Sequence, residues 1–201
     1  MRIRLEHPSS YTEGEIAITG SKSESNRLLI LQALFPKITI KNISNSDDSK
    51  ITENALKSTD SIIDIHHAGT AMRFLTAYFS TQPGREIILT GSQRMQERPI
   101  KLLVNALKDL GAEISYDKKE GYPPLKIIGK KIIKSKVALQ ANISSQYISA
   151  LMLIAPSLED GLTIELTGQL TSVPYIKMTQ TILDELGFEI TFEKNKIQIS
   201  S

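Results

Sequence analysis

The chain contains no cysteine and no tryptophan, three histidines, and only 5% aromatic residues. The lack of thiols excludes a disulfide framework, a thiolate nucleophile and any Cys-ligated metal, leaving His7, His66 and His67 as the imidazoles. No metal site is therefore expected. A surplus of one charge is missing too: Lys+Arg 24 against Asp+Glu 22 gives a formal net charge of +2, with the basic residues scattered along the chain. That pattern lacks the electrostatic footprint of a nucleic-acid binder. No apolar run reaches the roughly 18 to 20 residues needed to cross a bilayer, and the opening MRIRLEHPSS has none of the apolar core of a secretory signal. What remains is 201 residues, 40% hydrophobic and 23% charged. This suits a globular protein of one domain or two small ones, expected in the cytoplasm with no membrane partner.

The chain does contain a repeat. GREIILTGSQRM at 84–95 is echoed by GLTIELTGQLTS at 161–172, each a strand pattern closed by Thr-Gly, and LKDLGAEISY at 107–116 by LDELGFEITF at 183–192. Gly111 and Gly187 fall where a helix ends and an alternating strand begins. A fainter first copy has EIAITG, SESNRLLILQALF, KITIKN and ITENALK, with its closing hairpin deleted. The unit reads strand, helix, strand, helix, hairpin. An α/β (α+β) fold of three pseudo-symmetric βαβαββ modules follows, at about 14–61, 62–130 and 131–201. Helices lie inside, mixed sheets outside, and the first module is shortened. The competing reading is a doubly wound α/β domain with coincidental self-similarity. The apolar segments 28–35, 70–79 and 147–156 are expected to be buried. PIKLLVNALKDL, with Ile100, Leu103, Leu107 and Leu110 on one face, is expected to be half exposed. Pro99 and Pro174 are placed as first-turn prolines, and Ser172 as a cap.

Helix N-termini carry unpaired N–H groups and about half a unit of positive charge, so they attract phosphates and carboxylates. At the start of the first helix, GSKSESNR supplies Lys22, Ser23 and Arg27. Two cations at a helix start repel the dipole, and an anion is the natural compensation. The second copy offers HHAGTAMR, where Gly69 allows close approach to the backbone; the third offers Ser144, Ser145 and Gln146. QRMQERPI adds Arg94, Glu97 and Arg98, and TSVPY adds Ser172 and Tyr175. Each has a plainer reading: the serines as caps, the charged trio as a surface ion-pair network, His66 and His67 as turn or packing residues. Pseudo-symmetry would bring equivalent helix ends to one edge, where a multiply anionic small molecule could bridge them.

The strings GSKSESNR, AGTAMR, QRMQERPI, SSQY and SVPY, in this order over nearly the whole chain, resemble the N-terminal domain of the EPSP synthase (3-phosphoshikimate 1-carboxyvinyltransferase) family. The resemblance implies transfer of the enolpyruvyl group of phosphoenolpyruvate to the 5-hydroxyl of shikimate 3-phosphate, through a tetrahedral intermediate and with no metal or organic cofactor. It implies that Lys22, Gly69, Arg94 and Gln146 hold phosphoenolpyruvate, with Lys22 also catalytic. Ser23 and Arg27 would meet the shikimate carboxylate, and Ser144, Ser145, Gln146 and Ser172 the region of its 3-phosphate. Tyr175 would pack beside the ring. The chain departs from the family pattern at His67, at Val173 and in the missing first hairpin. The family's enzymes are about twice as long. The resemblance therefore implies that residues 1–13 belong to a strand shared with a C-terminal domain, that 14–201 form the N-terminal enolpyruvyl transferase domain, and that this chain alone binds substrate weakly without turnover. The rivals are a relative acting on UDP-N-acetylglucosamine, and a non-catalytic anion-binding module.

Overall fold

A computed structural model describes Arg4 and residues 13–140, 142 and 144–201. The strand assigned to residues 1–13 lies, except for Arg4 and Glu13, outside the described residues. The chain opens with α1 (Lys22–Leu34) and α2 (Asp47–Lys57), started by the caps Ser21 and Ser46, whose hydroxyls accept from Glu24 N and Ser49 N. It continues through β1 (Ile62–Asp64), α3 (Gly69–Ser80), β2 (Glu86–Thr90), a single turn α4 (Gln93–Gln96), α5 (Lys101–Leu110) and the strands β3 (Glu113–Tyr116) and β4 (Leu125–Ile128). The last unit holds β5 (Lys136–Gln140), α6 (Ser145–Ile154), β6 (Leu162–Thr167), α7 (Val173–Glu185), β7 (Ile190–Glu193) and β8 (Lys196–Ile199).

The repeat therefore folds twice into the same sheet. One sheet has the order β1-β2-β4-β3 and the other β5-β6-β8-β7, each with a parallel first pair followed by antiparallel pairs. A parallel pair needs a crossover, supplied by α3 and α6. Gly111 (φ 107) and Gly187 (φ 87) take the left-handed conformation that ends α5 and α7, where a Cβ would be strained. The strands alternate, as in β5 and β8, so one face of each sheet lies on the helices. The helices α1, α3 and α6 pack against one another at the centre. All of α3 except Thr70 is buried, and so is all of α6 except Gln146. Ile100, Leu103, Leu107 and Leu110 are buried while Lys101, Asn105 and Lys108 face solvent, as the helical spacing predicts. No helix among the described residues is long and apolar enough to cross a membrane.

The first copy corrects the expectation of a third sheet. Residues 15–20 and 37–42 form no strand, and they meet through a bond from Gly20 N to Asn42 O (2.9 Å). The cause is the deletion. In the other units the central strand is held on both edges, by the first strand and by the hairpin. Here one edge has no partner, and a lone pair of strands is marginal in water. Asn42 at φ 52 also breaks the extended run, and Ile16 (84% exposed) and Ile18 (79%) are left uncovered. Residues 58–61 cross directly from α2 to β1, held by the Arg85 guanidinium, which donates to the carbonyls of Ser58, Thr59 and Asp60. The expectation that 28–35 is buried is corrected for the same reason: Leu28, Ala33, Leu34 and Phe35 are only half-buried. Two local expectations also shift. Pro174 sits in the first turn of α7, but Pro99 precedes the Ile100 cap of α5, because α4 takes up part of the connection.

Uneven cover predicts uneven sensitivity. Leu151→Ala, in the fully covered α6, should cost about 3 kcal/mol through lost burial and a cavity, whereas Leu34→Ala in α1 should cost about 1 kcal/mol. Urea unfolding of the two variants checks this; equal losses would show that α1 is covered as well as α6.

Candidate functional site

Four helices begin at one cavity of about 460 Å³. Lys22 and Ser23 reach it from α1, Thr70 from α3, Ser144, Ser145 and Gln146 from the start of α6, and Ser172 and Tyr175 from the start of α7. Arg27, one turn further along α1, and Arg98, just before α5, complete the wall. Among the described residues no carboxylate lines it. Three cations and four positive helix ends thus face one space whose described lining contains no acid. Such a field favours a small polyanion.

The helix starts differ in how they are finished. Ser144 caps α6, its hydroxyl accepting from Gln146 N at 3.3 Å. The starts of α3 and α7 have no side-chain cap; in α3 this leaves the first N–H groups available, whereas in α7 Pro174 has none and the Tyr175 N–H donates to the Ser172 carbonyl at 3.1 Å. Ser172 corrects the expectation of a cap: it takes the left-handed conformation (φ 54, ψ 38), unusual for a residue with a Cβ, and its hydroxyl caps nothing. Strain of this kind, on the order of 1 kcal/mol, persists where the surroundings impose it and is concentrated at functional sites.

Arg27 is 2% exposed, yet all its partners are neutral. Its Nε donates to Thr179 Oγ1 (2.7 Å), Nη1 to the Ser23 carbonyl (2.7 Å), and Nη2 to Ser149 Oγ (3.1 Å) and the Tyr175 carbonyl (3.3 Å). The guanidinium also lies 5.4 Å from the Phe74 ring centroid. Burial pulls its pKa down to about 10, so it stays protonated at neutral pH. The network holds the charge in place without a carboxylate hydrogen-bond partner, and the nearby Tyr175 and Glu24 offset the effect of burial only in part. Lys22 is different: half exposed, it has only a long contact of 4.0 Å to Asp48, and its ammonium can turn to a ligand.

Most of the residues singled out in the sequence come together here: Lys22, Ser23, Arg27, Ser144, Ser145, Gln146, Ser172 and Tyr175. Arg94 does not. It is exposed on the single turn α4 and lines no part of the cavity, whereas Arg98 of the same motif does. Gly69 lies behind the wall, and its part is steric: a Cβ there would collide with the Arg98 guanidinium at Nη1. One lining residue was missed, Thr70, although it stood inside AGTAMR; Arg98 was named in QRMQERPI, but the resemblance assigned the substrate contact to Arg94. Thr70 accepts from Gln146 Nε2 at 3.2 Å, joining α3 to α6 at the cavity edge. His66 is a turn residue at φ 47, its N–H donating to Asp64 Oδ1.

Fold and cavity together define a class of α/β protein in which buried helices begin at one cationic cavity whose described lining holds no acid. Comparison with known proteins narrows it. The family model of EPSP synthase (3-phosphoshikimate 1-carboxyvinyltransferase) matches residues 52–201, and the chain belongs to that family. It is 48% identical over 188 residues to the 3-phosphoshikimate 1-carboxyvinyltransferase of Bacteroides fragilis, covering 93% of this chain and 45% of the relative. Its identity to that of Pasteurella multocida is 39% over 216 residues, covering 92% and 49%. A solved EPSP synthase from Acinetobacter baumannii shares the fold at a TM-score of 0.76 and 21% identity, covering 93% of this chain and 47% of the other. The chain spans about half the length of these relatives.

The steric relation at Gly69 gives a direct test. Gly69→Ala should displace the Arg98 guanidinium and weaken binding of inorganic phosphate about tenfold, the worth of one charge-assisted hydrogen bond. The folded state should be almost unaffected, since only the flexible end of a side chain must move. Calorimetric titration together with urea unfolding reads both; unchanged affinity would remove Arg98 from the site.

Proposed function

We propose that this chain is the substrate-gathering half of an enolpyruvyl transferase that joins phosphoenolpyruvate to the 5-hydroxyl of shikimate 3-phosphate. The observation that carries the reading is the acid-free cavity with four helix starts and three cations. Two polyanions repel each other, and a preorganised positive field offsets that repulsion before any bond forms. Lys22 and Arg98 are suited to the phosphate of phosphoenolpyruvate, with Gln146 beside them. Arg98 takes the part that the sequence pattern gave to Arg94, because only Arg98 faces the cavity. Arg27 with Ser23 suits the shikimate carboxylate, a planar anion matched by a planar fork. Ser144, Ser145 and Ser172 suit the 3-phosphate, and Tyr175 the ring.

In the reaction the 5-hydroxyl oxygen adds to C2 of phosphoenolpyruvate while C3 gains a proton. The tetrahedral adduct then expels phosphate and returns a proton from C3. Each step moves a proton, yet the described lining offers neither carboxylate nor imidazole to carry it. Lys22 can stabilise charge on the departing phosphate. The groups that move the protons, and the second wall of the site, belong in this reading to a C-terminal half. The chain alone binds and does not turn over.

Calorimetric titration of the isolated chain with shikimate 3-phosphate should show binding. Lys22→Ala should weaken phosphoenolpyruvate about tenfold, on the scale of a charge-assisted hydrogen bond, while Arg94→Ala should change nothing. Binding of UDP-N-acetylglucosamine in place of shikimate 3-phosphate would overturn the substrate assignment, and turnover by the chain alone would overturn the division of labour.

A further inference from the structure

The sequence motifs do not explain how Arg98 is kept over Gly69. Arg98 is exposed, and among the described residues no side chain holds its guanidinium with a hydrogen bond or an ion pair. The restraint lies one residue on. The Pro99 carbonyl accepts two bonds, from the Tyr147 hydroxyl of α6 at 2.7 Å and from Arg73 Nη2 of α3 at 3.1 Å. Arg73 Nη1 also donates to the Gly69 carbonyl at 3.1 Å and to Met95 Sδ of α4 at 3.7 Å. Arg73 and Tyr147 are each 4% exposed, and neither lines the cavity.

From this geometry we propose that Arg73 and Tyr147 form a latch on the Pro99 carbonyl that positions Arg98 for anion binding. The proline ring locks φ at residue 99, so fixing its carbonyl fixes its remaining soft torsion and the direction in which Arg98 leaves the backbone. The Arg98 N–H bonds to the Met95 carbonyl at 3.1 Å, and Met95 in turn touches Arg73. One guanidinium therefore ties the carbonyl of Gly69 to that of Pro99, setting the Arg98 side chain against the only residue type that leaves room for it. Tyr147 brings α6 into the arrangement beside Gln146, which bonds Thr70. Both are positioning residues, acting through Arg98 and not on the ligand.

The inference rests on the proposed anion site, and its test separates the two. Tyr147→Phe keeps the ring in the core and removes only the hydroxyl. Nitrogen-15 relaxation of Arg98 Nε in the 201-residue chain should show a more mobile side chain, and affinity for phosphoenolpyruvate should fall about fivefold, as for one neutral hydrogen bond. Arg73→Lys, which keeps the charge but not the fork that reaches both carbonyls, should loosen Arg98 in the same way. An equally ordered Arg98 in both variants would overturn the latch, whatever happens to affinity or thermal stability. If Arg98 loosens as expected but Arg98→Ala binds phosphoenolpyruvate as well as the parent does, the latch stands and the site reading fails.

Discussion

The structure is organised by a repulsion that it maintains. The starts of α1, α3, α6 and α7 meet at one cavity, and Lys22, Arg27 and Arg98 are added to the same space with no acid among the lining residues. Like charges and aligned dipoles at such separations work against each other. The arrangement therefore needs strength elsewhere, and the buried interiors of α3 and α6 supply it. A helix start can be aimed at an unfavourable field only if the rest of the helix is held by packing. The repeated fold does this by placing its most apolar helices at the centre and its sheets outside them.

Buried cations are commonly neutralised by carboxylates, and here they are not. Arg27 bonds hydroxyls and carbonyls, and Arg73 bonds two carbonyls and a thioether. Neutral acceptors satisfy the N–H groups without cancelling the charge, so burial is made tolerable while the field remains. A carboxylate partner would give a more comfortable ion pair and a weaker anion site. Burial lowers the Arg27 pKa, and at about 10 it still leaves the charge intact at neutral pH.

Much of this was legible in the sequence because it depends on local rules. The left-handed glycines 111 and 187, the alternating strands and the amphipathic face of α5 are statements about neighbours in the chain, and all are found. What was not legible depends on distant parts. The first copy has strand-like residues, but strands need partners on their edges, and the deleted hairpin removed one. Arg94 and Arg98 stand four residues apart in one motif, and residue pattern alone does not show that a single turn of helix sends only one of them inward. Thr70 was hidden as a polar residue in an apolar helix, and Ser172, although named as a site residue, takes a left-handed conformation that its sequence does not announce. The Pro99 carbonyl carries no sequence signal at all, since any residue has a carbonyl.

The shortened module and the site bear on each other through α1. That helix carries Lys22, Ser23 and Arg27 at one end and loses its cover at the other, where Leu34 and Phe35 are half-buried. Its hold on the core lies in its middle turns, at Leu29, Ile30 and Leu31, in the Arg27 network to α6 and α7, and in buried bonds to the first copy, where Ser25 Oγ accepts from Ser44 N and Asn26 Oδ1 from Ser49 Oγ. The guanidinium that lines the cavity is thus also part of what anchors its own helix. A ligand that satisfies this charge binds only the folded arrangement and stabilises it by mass action. In this protein the end of α1 that carries Lys22, Ser23 and Arg27 keeps its place without a third sheet, because it is tied to α6 and α7 through Arg27 and to residues 42–49 through Gly20, Ser25 and Asn26.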